Sequence, residues 1–376
     1  MDKKLARGLS LFGLAGMAVV GTVHAQSSVT LYGIVDEAVE YSHAGATHNT
    51  RLVSGGALGS RLGFRGVEDL GGGLAAVFRL EEGINADDGS IGQGGRAFGR
   101  EASVGLASKA FGTVQLGRLP TPYYVVQSGV DAFNWMGAGA LVSVTRSAAG
   151  TTQVLGNAVN ARHDNAIGYV SRNWGGFEAR ALYSLGENSA TLGSGYGLSA
   201  RYTKSGLDVL AGFVRQNAGS AGTGAAQGAV VGGSYDFRVA KVYLGYTRER
   251  NDCTNCSGAL ARPSGVAPRG HGDFRLINIG TRVPFGAFTA IAQYVRLQDR
   301  TEYAVNPGNR DANWWAIGGE YAMSKRTLIY TSVGSIDNQN GSQYALGTGS
   351  AQLPANSVAA GNPRTTTFNL GIRHTF

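Results

Sequence analysis

The last segment of the chain, TTTFNLGIRHTF, alternates with a period of two. Phe368, Leu370, Ile372, His374 and Phe376 share one face, and Thr367, Asn369, Gly371, Arg373 and Thr375 share the other. The same alternation runs through LAAVFRLEEG, where Leu74, Ala76, Phe78 and Leu80 oppose Ala75, Val77, Arg79 and Glu81. It recurs in SRLGFRG, where Leu62 and Phe64 oppose Arg61, Gly63 and Arg65. Each such segment predicts a strand with one apolar and one polar face. Roughly sixteen of them follow one another, from about 29–41 at one end to about 364–376 at the other.

The connections between these strands alternate in length. Short ones (EDLGG, SKAFG, NWGG, KSG, FRV, VPFG, AMSK) are separated by longer polar ones, the first predicted at about 42–56 and the third at about 120–161. An even strand number, with tight turns at one rim and long loops at the other, predicts a closed antiparallel barrel in an outer membrane. A strand of ~10 residues rising ~3.3 Å each and tilted by roughly 45° spans about 24 Å, close to the apolar band of such barrels. Closure is required in hydrocarbon, because an open edge leaves backbone groups without partners. Sixteen strands make a cylinder too wide for side chains to fill, so the polar faces line water.

Composition agrees. The chain of 376 residues has 59 Gly, 16 Tyr and 14 Phe but only 8 Pro and 15% charged residues, a mixture suited to many strands and tight turns. Its start, MDKKLARGLSLFGLAGMAVVGTVHAQ, sets Lys3, Lys4 and Arg7 before an apolar run and a small-residue cleavage signal. We read residues 1–25 as a secretory signal peptide, cut after Ala25, and 26–376 as the barrel. The run falls short of the ~20 apolar residues of a spanning helix. The basic excess of +8 contains no Lys/Arg block, which argues against nucleic acid as a partner. Cys253 and Cys256, in a polar CTNC loop, point to a local disulfide in an oxidising compartment. A redox pair would need a βαβ setting, and zinc would need further ligands.

At this point the chain resembles the Gram-negative general porins. The residues that carry the resemblance are SSVTLYGIVDEAVEY, GSRLGFRGVEDLGGGLAAVFRLEEG, GQGGRAFGREASVGL, FGTVQLGR and the terminal LGIRHTF. It implies a homotrimer of 16-stranded barrels in the outer membrane, among lipid and lipopolysaccharide, passing small hydrophilic solutes and ions. It also implies that the third outer loop, here 120–161, folds into the lumen as a constriction facing a ladder of basic side chains. By motif the ladder is Arg61, Arg100 and Arg162; Arg79 and Glu81 join it by parity. Asp131 is the loop's single acid, so basic groups outnumber acidic ones and the pore is expected to favour anions.

Glu37, Glu101 and Arg118 read as outward-facing among Val35, Val39, Val104 and Leu116, and are assigned to the subunit interface. Tyr183, Phe177, Trp174, Trp314 and Trp315 are assigned to girdles at the membrane rims. Phe376 is the aromatic end that the family offers to the outer-membrane assembly machinery. The sequence holds no HExxH, GxSxG or GxxxxGK[ST] motif, its six His are scattered, and no enzyme or cofactor is expected. A substrate-specific channel with a saturable site is the alternative.

Overall fold

The computed structural model describes residues 28–44, 47–135, 137–146, 152–153, 161–253, 271–302, 310–342, 344–347 and 364–376. The signal segment and Cys256 lie outside these residues. Sixteen antiparallel strands form one closed sheet in which each pairs with its sequence neighbours. They are β1 (Ser28–Ala44), β2 (in two pieces, Thr47–Ser54 and Arg61–Gly71), β3 (Leu74–Asn85), β4 (Glu101–Ser108), β5 (Gly112–Pro120), β6 (Arg162–Val170), β7 (Phe177–Ser184) and β8 (Leu192–Lys204). The second half comprises β9 (Leu207–Ala218), β10 (Ala225–Asp236), β11 (Lys241–Asn251), β12 (Gly272–Phe285), β13 (Phe288–Asp299), β14 (Ala312–Ala322), β15 (Thr327–Asn338) and β16 (Arg364–Thr375).

The seam closes between β1 and β16, from Ile34 opposite Thr375 to Ala44 opposite Thr365. The chain end takes part in that seam. Phe376 N–H donates to the Gly33 carbonyl at 3.1 Å, and Gly33 N–H returns a bond to Phe376 at 3.2 Å. The Phe376 ring lies over Gly33, where an added Cβ would stand 2.3 Å from it. Gly33 therefore leaves room for the terminal aromatic.

Alternation sorts the wall as the pattern predicts. On β1, Val29, Leu31, Val35 and Val39 are exposed while Asp36, Ala38 and Glu40 are buried; on β16, Phe368, Leu370 and Ile372 are exposed while Thr367 and Asn369 are buried. An apolar outer face around a polar inner face is what lipid outside and water inside select.

Two departures have physical causes. The loop expected at 42–56 is mostly strand: β1 runs on to Ala44 and pairs with Thr47–Ser54, from Glu37 opposite Ser54 to Ala44 opposite Thr47. THNTRLVS carries little apolar alternation, so hydropathy alone missed a strand that polar residues can also form. The break falls instead at 55–60, which is held at the wall by Asp36. Its carboxylate accepts the N–H groups of Ala57 at 3.1 Å and Leu58 at 2.9 Å, and the Tyr330 hydroxyl at 2.5 Å.

The second departure is that the inner face is not polar throughout. Leu210, Val214, Leu276, Val295, Leu297, Trp314 and Ile336 are buried on β9 and β12–β15, in one cluster with Tyr123, Val126, Val130, Leu141 and Val144 from the segment that follows β5. Trp314 is fully buried there, whereas Trp315 next to it is 45% exposed. The girdle assignment of Trp314 is thus corrected, because adjacent strand residues face opposite ways and Trp314 takes the inner side. Trp315, Trp174, Phe177 and Tyr183 are all on the exposed face.

Candidate functional site

The segment after β5 turns inward at once. Thr121 caps a short helix, α1 (Pro122–Gln127), by accepting the Tyr124 N–H at 3.2 Å, and Pro122 starts it with a preset φ. The chain then follows the inner wall from β9 to β15, tied by side chains that the strands point inward. Tyr123 donates to Glu249 at 2.9 Å on β11, and Asn278 on β12 donates to the Val130 carbonyl at 2.6 Å. Arg282 on β12 donates to the Ala132 carbonyl at 3.0 Å, and Ser332 on β15 accepts the Ala138 N–H at 2.9 Å. Glycines make the close approach possible: a Cβ at Gly212 would stand 3.1 Å from the Tyr123 backbone.

Asp131, expected to face the arginines, holds this path together with bonds of its own. Its carboxylate is 2% exposed and accepts the N–H groups of Phe133 (3.0 Å), Trp135 (3.3 Å) and Leu141 (3.1 Å) and the Gln293 amide (3.1 Å). Burial pushes the carboxyl above the usual range, against the pull of those bonds. An acid that folds its own loop contributes little field to a pore.

The arginines gather on the other arc, β2–β6. Arg100 donates to Glu81 at 2.6 Å, and Arg61 stands 3.7 Å from the same carboxylate. Arg162 donates to the Arg100 carbonyl at 2.9 Å, and its guanidinium lies 5.1 Å from the centre of the Tyr124 ring. Among the described residues, Glu81 is the one carboxylate within ion-pair reach of this trio. Tyr124, which had no motif or parity to mark it, is half-buried between them. Burial raises its hydroxyl, but Arg162, Arg100 and Arg61 outweigh burial and leave it below the ordinary tyrosine value. Trp135 completes the group with its ring 4.8 Å from that of Tyr124.

Parity placed Arg61, Arg79 and Glu81 on the inner side, with Tyr32 of β1 donating to Glu81 at 2.8 Å. Arg162 arrives differently from its prediction: a bulge between His163 and Ala166, with Asn165 at φ 52°, breaks the alternation used to aim it. Glu101 is a correction. It lies opposite Glu81 in register and pairs with Arg79 at 3.2 Å, so it turns to the inner side and leaves the proposed subunit interface. Arg118 donates to the Gly99 carbonyl at 2.7 Å and pairs with Asp164, which Arg96 also holds at 2.8 Å; it is satisfied within the chain and needs no neighbouring subunit. Glu37 remains on the face of Val35 and Val39, both exposed.

On β8–β14 four arginines meet carboxylates. Arg201 pairs with Asp208 at 2.5 Å, Arg248 and Arg275 share Asp273 at 2.7 and 2.9 Å, and Arg282 pairs with Glu320. Cys253 is disulfide-bonded. No group of His, Cys, Asp or Glu among the described residues is arranged to hold a metal.

A closed sixteen-stranded barrel with an apolar outside, a polar inside and a segment folded along its lumen defines a transmembrane pore. The family model for Gram-negative porins matches residues 13–341, and the chain belongs to that family. It is 32% identical to outer membrane porin protein 32 of Delftia acidovorans, over 98% of this chain and 99% of that one. It is 30% identical to an outer membrane porin protein of Bordetella pertussis, over 100% of both chains. Among solved structures, the anion-selective porin from Comamonas acidovorans superposes with a TM-score of 0.75 at 28% identity, over 93% of this chain and 100% of that one. The protein is an outer-membrane porin channel, not an enzyme.

Proposed function

We propose that the pore passes small hydrophilic solutes by passive diffusion and prefers anions, with its narrowest part between the 120–146 segment and Arg61, Arg100 and Arg162. The observation that carries this is a local charge asymmetry: Arg61, Arg100 and Arg162 stand together with Glu81 as the one carboxylate paired to the trio, whereas Arg201, Arg248, Arg275 and Arg282 each meet a carboxylate. A cluster of arginines beside water concentrates anions and repels cations. A relative of 28% identity being an anion-selective porin supports the reading. The test is the zero-current potential of reconstituted channels in a KCl gradient; a cation-preferring sign overturns it. Saturable flux of one solute, in place of linear flux that falls with solute size, would establish the substrate-specific alternative.

The same proposal includes a homotrimer, with Glu37 on the surface between subunits, embedded in lipid and lipopolysaccharide. It includes removal of residues 1–25, pairing of Cys253 with Cys256, and use of Phe376 by the outer-membrane assembly machinery. The seam bonds of Phe376 support that last role, because a terminal residue that closes the barrel is displayed only until closure is complete.

A further inference from the structure

Two large aromatics near the arginines lie on strained backbone, Phe98 (φ 53°) and Trp135, and of the two Trp135 is the one that packs against Tyr124. Trp135 has φ 70° and the preceding Asn134 has φ 49°. For a bulky residue, left-handed backbone is an outlier that persists only where surrounding bonds enforce it. Here the enforcing bond is from the Trp135 N–H to Asp131. Its indole is not used to fill the apolar cluster, unlike Phe133 two residues earlier, which is 1% exposed. Trp135 is instead half-buried and tilted at 46° to Tyr124, itself half-buried. Tyr124 in turn carries the Arg162 guanidinium 5.1 Å from its ring. A continuous set of flat π and guanidinium surfaces therefore borders the cluster of Arg61, Arg100 and Arg162, whose positive charge exceeds that of its one carboxylate partner.

We propose that Arg162, Tyr124 and Trp135, with Arg61 and Arg100 beside them, form a binding station for single-ring aromatic carboxylates. The carboxylate engages guanidinium donors left over by Glu81, and the planar ring lies against the tryptophan and tyrosine. Each half of the ligand matches a different part of the site. A small inorganic anion satisfies only the arginines, a neutral aromatic only the rings, and a saturated acid of equal charge cannot stack. This rests on the anion-admitting pore proposed above.

The test uses the full-length protein in planar bilayers and measures how benzoate, cyclohexanecarboxylate and glucuronate block the chloride current. Benzoate is expected to block at a concentration about three- to tenfold below cyclohexanecarboxylate, the ratio that one aromatic contact supports. Trp135→Ala should bring that ratio to about one, and Trp135→Phe should keep part of it. Equal block by the two acids in the wild-type channel overturns the proposal, as does a preference that survives Trp135→Ala. Glucuronate blocking as well as benzoate also overturns it, since ring stacking of a sugar acid would then suffice. If Trp135→Ala does not assemble, the wild-type ratio and the Phe variant still decide. The zero-current potential in KCl, recorded on the same wild-type membranes, separates failure of the pore's anion preference from failure of the aromatic station.

Discussion

The two arcs of the barrel solve the problem of placing charge near water in opposite ways. Along β8–β14, Arg201, Arg248 and Arg275 each meet a carboxylate on their own or an adjacent strand, and Arg282 meets Glu320 two strands away. The apolar side chains between them receive the inward-folded segment. Along β2–β6, Arg61 and Arg100 converge on Glu81 with Arg162 beside them, and the segment meets that trio through Tyr124, against which Trp135 packs. The first group sets three carboxylates against four arginines, the second one carboxylate against three. A uniform scatter of the same arginines would give no direction to the field in the pore.

The comparison can be broken most strongly by removing the charged arc. Replacing Arg61, Arg100 and Arg162 together by Met should lower the chloride-to-potassium permeability ratio about tenfold, each charge being worth about 0.5 kcal/mol to that ratio across screened water. The zero-current potential reads this directly. Replacing Arg282 by Met and Glu320 by Gln together removes a pair with no change of net charge and should leave that ratio nearly unchanged.

Asp131→Ala should act on the fold of the segment, with little effect on selectivity. Four donors lose their acceptor, at a cost of about 2–4 kcal/mol. The unfolding temperature in detergent should fall, and single-channel current noise should rise as the segment loosens.

Glu81→Gln should sharpen the contrast by deleting the counter-charge, raising anion preference about twofold by the same electrostatic scale. The smallest expected effect is a pH dependence. The Tyr124 hydroxyl sits below the ordinary value of about 10, so raising the pH through that lowered value adds a negative charge to the cluster. Anion preference should therefore decline on the alkaline side, and Tyr124→Phe should flatten the decline. An identical decline in the Phe variant would place the titrating group elsewhere.

Much of the architecture was legible in the residue order. Alternation in β1, β3 and β16 identified strands and their faces, and parity aimed Arg61, Arg79 and Glu81 correctly, because a regular strand reverses its side chains at every step. The same rule failed where the strand was not regular or its environment not two-sided. The bulge at Asn165 changed how Arg162 reaches the cluster, and the polar Thr47–Ser54 strand had no apolar face to betray it. Glu101 was misplaced by grouping it with Val104, three residues away and therefore on the opposite face. Tyr124 and Trp135 carried no strand-period signal because one lies on a short helix and the other in a turn. An inner-face signal was present in Leu210 and Val214, apolar residues in phase with buried Asp208 and Gln216. Such a pattern marks wall that something else must cover.

The resemblance to the family was carried by motifs; beyond it, the sequence by itself determined the barrel and its membrane. These follow from local periodicity and composition, which act through each residue's nearest neighbours along the strand. Tertiary structure alone decided that Asp131 folds its own loop, that Arg61 and Arg100 share Glu81 with Arg162 beside them, and that Tyr124 and Trp135 stand near them. Those pairings join residues from strands and loops far apart in the chain, and only closure of the sheet and docking of the 120–146 segment bring them within bonding distance.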